Sequence, residues 1–160
     1  MLQRFASCQV ISRRLIGRLE MDALRVLRLA ELGGSVNAVD GIYWTCDEIQ
    51  GTIVAAAGEN KLCVWMRNSA LNSEFSLLYQ HCTGSVLVLD CKLHWLPKCH
   101  APVLACACDD GNVHLFTSQL VDRRLSFVKS IVITGHEDWV RTLSFTTEGI
   151  HFVVNAVGQY

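Results

Sequence analysis

Seven residues between positions 91 and 114 have metal-ligand chemistry: Cys91, His94, Cys99, His100, Cys106, Cys108 and His114. Thiolate and imidazole are preferred zinc ligands, and a Cys-x-Cys pair at 106 and 108 puts both sulfurs on one face of a strand. Structural zinc sites present Cys-x2-4-Cys in turns, with a second such pair, and no second pair occurs here. The competing reading is that Cys106 and Cys108 fill small core positions, where a free thiol behaves as a small hydrophobe. That reading is preferred, and no metal or cofactor is assigned. A catalytic role for His136 would require a nucleophile beside it, so a structural role is preferred there too. No Gly-rich phosphate loop, His-Glu-x-x-His or Gly-x-Ser-x-Gly occurs. Asp109-Asp110 reads as a turn pair and not as an acid/base couple. No catalytic residue is assigned, and the chain is expected not to be an enzyme.

The elements that must hold these residues are visible as a repeat. Residues 52–65, Thr-Ile-Val-Ala-Ala-Ala-Gly-Glu-Asn-Lys-Leu-Cys-Val-Trp, align without a gap on residues 103–116, Val-Leu-Ala-Cys-Ala-Cys-Asp-Asp-Gly-Asn-Val-His-Leu-Phe, at an offset of 51. Glu59 then matches Asp110, Trp65 matches Phe116, and Cys106 and Cys108 match Ala55 and Ala57. Ile42-Tyr43-Trp44 matches Leu93-His94-Trp95, and Leu143-Ser144-Phe145 follows 50 further on. Each triplet alternates as a half-buried strand does, which assigns Trp44, Trp95 and Phe145 to packing between units. Further strands are expected at 26–29, 75–79 and 131–133, each ahead of a glycine turn. About four short strands in a repeat of roughly 40–50 residues is the arithmetic of a β-propeller blade. The expected class is all-β, with about two and a half blades of four-stranded antiparallel sheet.

Composition narrows the function. The chain has 160 residues and a net charge of −1; 51% of residues are hydrophobic and 18% charged. Mean hydropathy is +0.27. Low charge with high hydrophobicity excludes a disordered chain. Near-zero net charge argues against a protein whose main task is gripping nucleic acid by its phosphates. No stretch of 18 or more apolar residues occurs, so no membrane-spanning helix is expected. The eight cysteines accompany no secretory segment and no Asn-x-Ser/Thr acceptor, so reduced thiols are expected, in the cytoplasm and also the nucleus. Residues 1–30 carry six arginines against Glu20 and Asp22, while the other 130 carry 8 basic and 13 acidic side chains. Residues 1–22 are expected to be a basic, poorly ordered extension; a transit peptide or a start misplaced upstream of Met21 are the alternatives. Residues 23–160 form the partial propeller.

Gly135-His136-Glu137-Asp138-Trp139-Val140 resembles the opening of a WD repeat, and Trp65 stands where such a repeat closes. Met66 and Thr117 replace the Asp that usually follows the closing aromatic. Residues 102–116, 135–141 and Leu93-His94-Trp95-Leu96-Pro97 further resemble the second-subunit family of the Elongator complex. That resemblance covers about residues 23–160. It implies a non-catalytic scaffold that holds the largest scaffold subunit and the catalytic subunit through propeller faces. The assembly modifies the wobble uridine of tRNAs, so tRNA is met only through the complex, with no small-molecule substrate and no membrane. A generic WD-repeat adaptor in trafficking or signalling is the alternative. Family members carry two propellers of many blades, so this chain is expected to be a fragment or to complete its ring by association.

The resemblance also implies roles for residues. His136 would bond a turn Asp on its own blade within a buried Asp-His-Ser/Thr-Trp network, although the matching Asp falls beyond Tyr160. Glu59 and Asp110 take the turn positions of the earlier blades, and Trp65 and Phe116 close them. Glu137, Asp138, Trp139 and Arg141 precede or open an innermost strand, where loops form a rim for partners. An exposed Trp beside an Arg suits a binding hot spot, and packing of Trp139 on the neighbouring blade is the alternative.

Overall fold

A computed structural model describes residues 7–8, 27–28, 35–46, 49–68, 75–96, 101–121, 124–146 and 152–156. These residues form twelve strands and no helix. Strands β1 (Ser7–Cys8) and β2 (Leu27–Arg28) pair with each other. The rest of the basic lead 1–22 lies outside the described residues.

The first blade is a meander of β3 (Val36–Cys46), β4 (Ile49–Gly58), β5 (Lys61–Asn68) and β6 (Ser76–Cys82), paired in chain order. The second repeats it with β7 (Val88–Leu96), β8 (Ala101–Cys108), β9 (Val113–Val121) and β10 (Arg124–Ile133). A third begins with β11 (Val140–Phe145) and β12 (Phe152–Ala156). The innermost strand β7 lies against both β3 and β11, so the blades stand side by side as in a propeller ring. The fold is an incomplete β-propeller, as the four-strand repeat predicts.

Why these segments form blades follows from their side chains. β4, β5 and β8 read as nearly continuous runs of Ala, Val, Leu and Cys, buried on both faces. Only a strand covered on both sides by other sheets can take such a run. One face of the first blade contributes Ile53, Ala55, Ala57, Leu62 and Val64 to a core shared with Leu104, Cys106, Cys108 and Phe116 of the second. The second blade's other face contributes Ala105, Ala107 and Val113 to a core shared with Val140 and Leu143. Small residues in β4 and β8 let neighbouring sheets approach closely. The outermost strand β10 is covered only in part: Leu125 and Phe127 are buried, while Val128, Ile131, Val132 and Ile133 are exposed.

The sheet registers correct one detail of the repeat. Ala57 pairs with Leu62 across the first β4–β5 turn, but Ala107 pairs with Val113 across the second. The second turn therefore holds one more residue. It is accommodated by Gly111 in a left-handed conformation, at φ 77°. The gap-free offset of 51 holds from β5 to β9, where Trp65 and Phe116 are equivalent. Before the turn it is 50, so Cys106 corresponds to Ala56 and not Ala55. Cys106 and Cys108 remain small core residues, but they face back to the first blade. The triplets shift for the same reason. Ile42 opposes Ile53 and faces the second blade, whereas Leu93 opposes Leu104 and faces the first. An offset wrong by one residue sets together residues that stand on opposite faces.

Gly111 also sets how closely the second and third blades approach. A Cβ there would lie 2.6 Å from the backbone oxygen of His136. Gly111→Ala is expected to cost about 1–3 kcal/mol, from a strained φ and from displacing the loop ahead of β11. The urea midpoint should fall accordingly; an unchanged midpoint would show that the turn relaxes freely.

Candidate protein-interaction rim

The chain direction brings the β4–β5 and β8–β9 turns to the same end of the blades as the β6–β7 and β10–β11 loops. This end carries Glu59, Asp109, Asp110, Glu137 and Asp138. In the first blade Ser35 Oγ donates to Glu59 Oε1 at 3.4 Å. In the second, Leu87 N donates to Asp109 Oδ1 at 2.9 Å, and Asp109 N donates to Leu87 O at 3.1 Å. The side chain that ties the second turn to the segment before β7 is thus Asp109, one residue before the position matched in the sequence. Asp110 instead closes its own turn. It accepts from Asn112 N at 3.0 Å and lies 3.3 Å from His114 Nε2. Although partial burial works against its charge, these hydrogen bonds hold the Asp110 carboxyl below the usual range.

Trp65 and Phe116 are buried, as closing aromatics should be. Phe116 meets Tyr79 edge-on at 6.0 Å and His81 at 5.3 Å between ring centres. Of the triplet aromatics, Trp95 packs on the core between first and second blades. Phe145 packs on the next core and stacks on His94 at 4.8 Å. The side chain of Trp44 lies outside the described residues.

The rim residues occupy the approach to β11. Gly135 has φ 145°, a conformation that favours glycine. His136 and Glu137 are exposed. Trp139 is 48% exposed, and its backbone N–H donates to Asp138 Oδ1 at 2.7 Å. The Arg141 guanidinium lies 5.6 Å from the Trp139 ring centre, within cation–π range. Between them Val140 is buried, and Leu143 follows on the same side. Val140 and Leu143 thus anchor the strand while Trp139 and Arg141 are presented to solvent together.

Two residues that hold this rim were not singled out by sequence. Asp90 Oδ2 accepts from Leu143 N at 2.9 Å and from Thr142 Oγ1 at 3.0 Å, tying β7 to β11. Its other oxygen takes Lys92 Nζ at 2.7 Å. Asp40 Oδ2 does the same one blade earlier, accepting from Leu93 N at 2.7 Å. Each bond spans 53 residues and joins adjacent innermost strands. The available signal was an Asp at matching positions, 40 and 90, of the first strand of each blade.

Burial raises the Asp40 carboxyl above its ordinary range, more than the Leu93 bond lowers it. A raised folded value means that acid favours the fold at this residue. Its contribution to stability rises as pH falls through the folded pKa towards the ordinary carboxylate value. Asp40→Asn keeps an acceptor for Leu93 N without the buried charge. It is expected to change unfolding free energy by less than about 1 kcal/mol and to flatten the pH dependence; Asp40→Leu should cost about 1–3 kcal/mol by orphaning that N–H. Paired pH titrations of stability check both.

The seven-residue Cys/His set is not one cluster. Cys91 faces the first blade and its thiol donates to Ala55 O at 3.9 Å, while His94 faces the third blade. Cys106 and His114 are cross-strand partners. Cys99 and His100 lie outside the described residues. Burial pushes the Cys91, Cys106 and Cys108 thiols up, Cys108 to about 12. Without a bound cation such thiols are protonated at neutral pH.

No family model matches the chain. It is 36% identical to Elongator complex protein 2 of Rattus norvegicus over 129 residues, 79% of this chain and 15% of that protein. Identity to the Mus musculus protein is 33%, and to that of Homo sapiens 31%, over the same shares. The chain thus resembles the second Elongator subunit as a partial match, and spans about 15% of the length of these curated relatives.

Proposed function

From this similarity to Elongator complex protein 2, we propose that the chain is part of a non-catalytic scaffold subunit of Elongator. The blades hold the largest scaffold subunit and the catalytic subunit, and tRNA wobble-uridine modification proceeds on the assembled complex. The observation that carries this reading is 30–36% identity over 72–79% of the chain. The rim supports it: an exposed Trp–Arg pair on a strand tied down by Asp90 is a rigid surface, and rigid aromatic and Arg anchors dominate binding energy. The acid-rich end suits a partner surface with basic character. The proposed location is the cytoplasm and the nucleus.

Recovery of the tagged intact protein from cells is the test. The expected result is co-purification of the largest scaffold subunit and the catalytic subunit, with loss of wobble-uridine modification when the protein is depleted. Recovery of trafficking or signalling proteins without any Elongator subunit would overturn the proposal and favour a generic WD-repeat adaptor.

A further inference from the structure

The turn that makes the second blade differ from the first also gathers three different metal ligands. One donor atom each from Cys108, Asp110 and His114 comes within 4.8 Å of the others. His114 Nε2 and Asp110 Oδ2 are already 3.3 Å apart. Zinc bonds of roughly 2.0–2.3 Å place neighbouring tetrahedral ligands about 3.3–3.8 Å apart. Closing the set therefore needs a shift of about an ångström, in side chains of which Asp110 is exposed and His114 half-buried.

The site adjoins a cleft of about 150 Å³ between the first and second blades, lined by Cys108 and His114 together with His81, Cys82, Thr83 and Lys129. Thr83 Oγ1 is buried there with no hydrogen-bond partner among the described residues. The cleft thus has room for a fourth ligand or a water, and a hydroxyl to receive it. The first blade serves as an internal control. Its residues at the places of Cys108, Asp110 and His114 are Gly58, Glu59 or Asn60, and Cys63, which do not make this donor set. Blade folding alone does not call for the triad.

We infer that Cys108, Asp110 and His114 bind a single zinc-class divalent cation at the second blade's turn, with its fourth position open to the cleft. One thiolate, one imidazole and one carboxylate suit a borderline-soft ion and not a hard one such as Mg²⁺ or Ca²⁺. The charges balance: Cys108 gives up its thiol proton to solvent, Asp110 is already ionised, and the two negative ligands neutralise the ion. Lys129 then faces a neutral site. This inference is independent of membership in Elongator. It also revises the assignment of Cys108 to packing alone, and leaves that of Cys106 in place.

Titration of the intact protein with Co²⁺ tests it, since a thiolate ligand adds a charge-transfer band and tetrahedral geometry intensifies the visible bands. Saturation at one ion per chain is expected, with release of one proton and displacement by Zn²⁺. Cys108→Ser should abolish the charge-transfer band. His114→Ala should weaken binding by at least about tenfold, with the far-ultraviolet circular dichroism unchanged. Cys82→Ser, at an exposed thiol on the same cleft, should leave the signal intact. Absence of the band in the wild type would overturn the inference. So would its persistence in Cys108→Ser, or its loss in Cys82→Ser. If Cys108→Ser does not fold, His114→Ala decides: unchanged affinity in that variant sinks the site.

Discussion

Replacing Phe116 with alanine is expected to lower the free energy of unfolding by about 3–5 kcal/mol. The ring is 1% exposed and stands in the core shared by the first and second blades. Tyr79 of β6 meets it edge-on, and Tyr79 also lies 6.3 Å from Phe127 of β10. The aromatic cluster thus joins the outer parts of both blades. Removing its centre opens a cavity between two sheets, and neither can collapse into it without losing its own ladder. Phe116→Leu keeps most of the volume and is expected to cost less than about 1.5 kcal/mol. Urea unfolding of the two variants, at constant slope, measures the difference. A loss below about 1 kcal/mol for the alanine variant would mean that the blades are not close-packed here.

The second large effect is on binding. If the proposed function holds, Trp139→Ala is expected to weaken association with the Elongator partner about 30-fold or more, the equivalent of at least about 2 kcal/mol. The ring offers a large apolar face already steadied by Arg141, and burying it against a partner removes both from water. Stability should change little, because nearly half of the residue is exposed and the strand is held by Val140, Leu143 and the Asp90 bonds. Arg141→Ala should give an intermediate loss. Calorimetric titration of the purified partner into wild-type and variant protein checks this. Affinities within twofold of each other, with unchanged folding, would remove the rim as the interface.

Much of this architecture was legible in the residues. The strands follow from alternation and from small-residue runs, and their number per unit led to the propeller. Trp65 and Phe116 stood out because a bulky aromatic recurs after the turn at 51 residues, and both are buried. For Trp139 exposure and packing on the neighbouring blade were both open; the structure shows it exposed, and a register shift between Val140 and Thr142 puts Val140 and Leu143 on one side. The pairing of residues between blades was less accessible. An ungapped repeat hid the extra turn residue, so Cys106 was set against Ala55 and Asp110 against Glu59.

A strand's side chains alternate with a period of two, so a single inserted residue reverses which neighbour each one meets. The sequence by itself therefore determined the all-β class, the four-strand repeat and the burial of the closing aromatics Trp65 and Phe116. Only the tertiary structure decided which blade each buried face touches. It also decided the bonds from Asp40 to Leu93 and from Asp90 to Leu143, and the meeting of Cys108, Asp110 and His114. Burial depends on local composition, which the chain carries along its length. The bonds between innermost strands join residues 53 apart and exist only once the two sheets stand side by side, which no local pattern encodes. The Cys108, Asp110 and His114 set depends on a turn that one extra residue has reshaped.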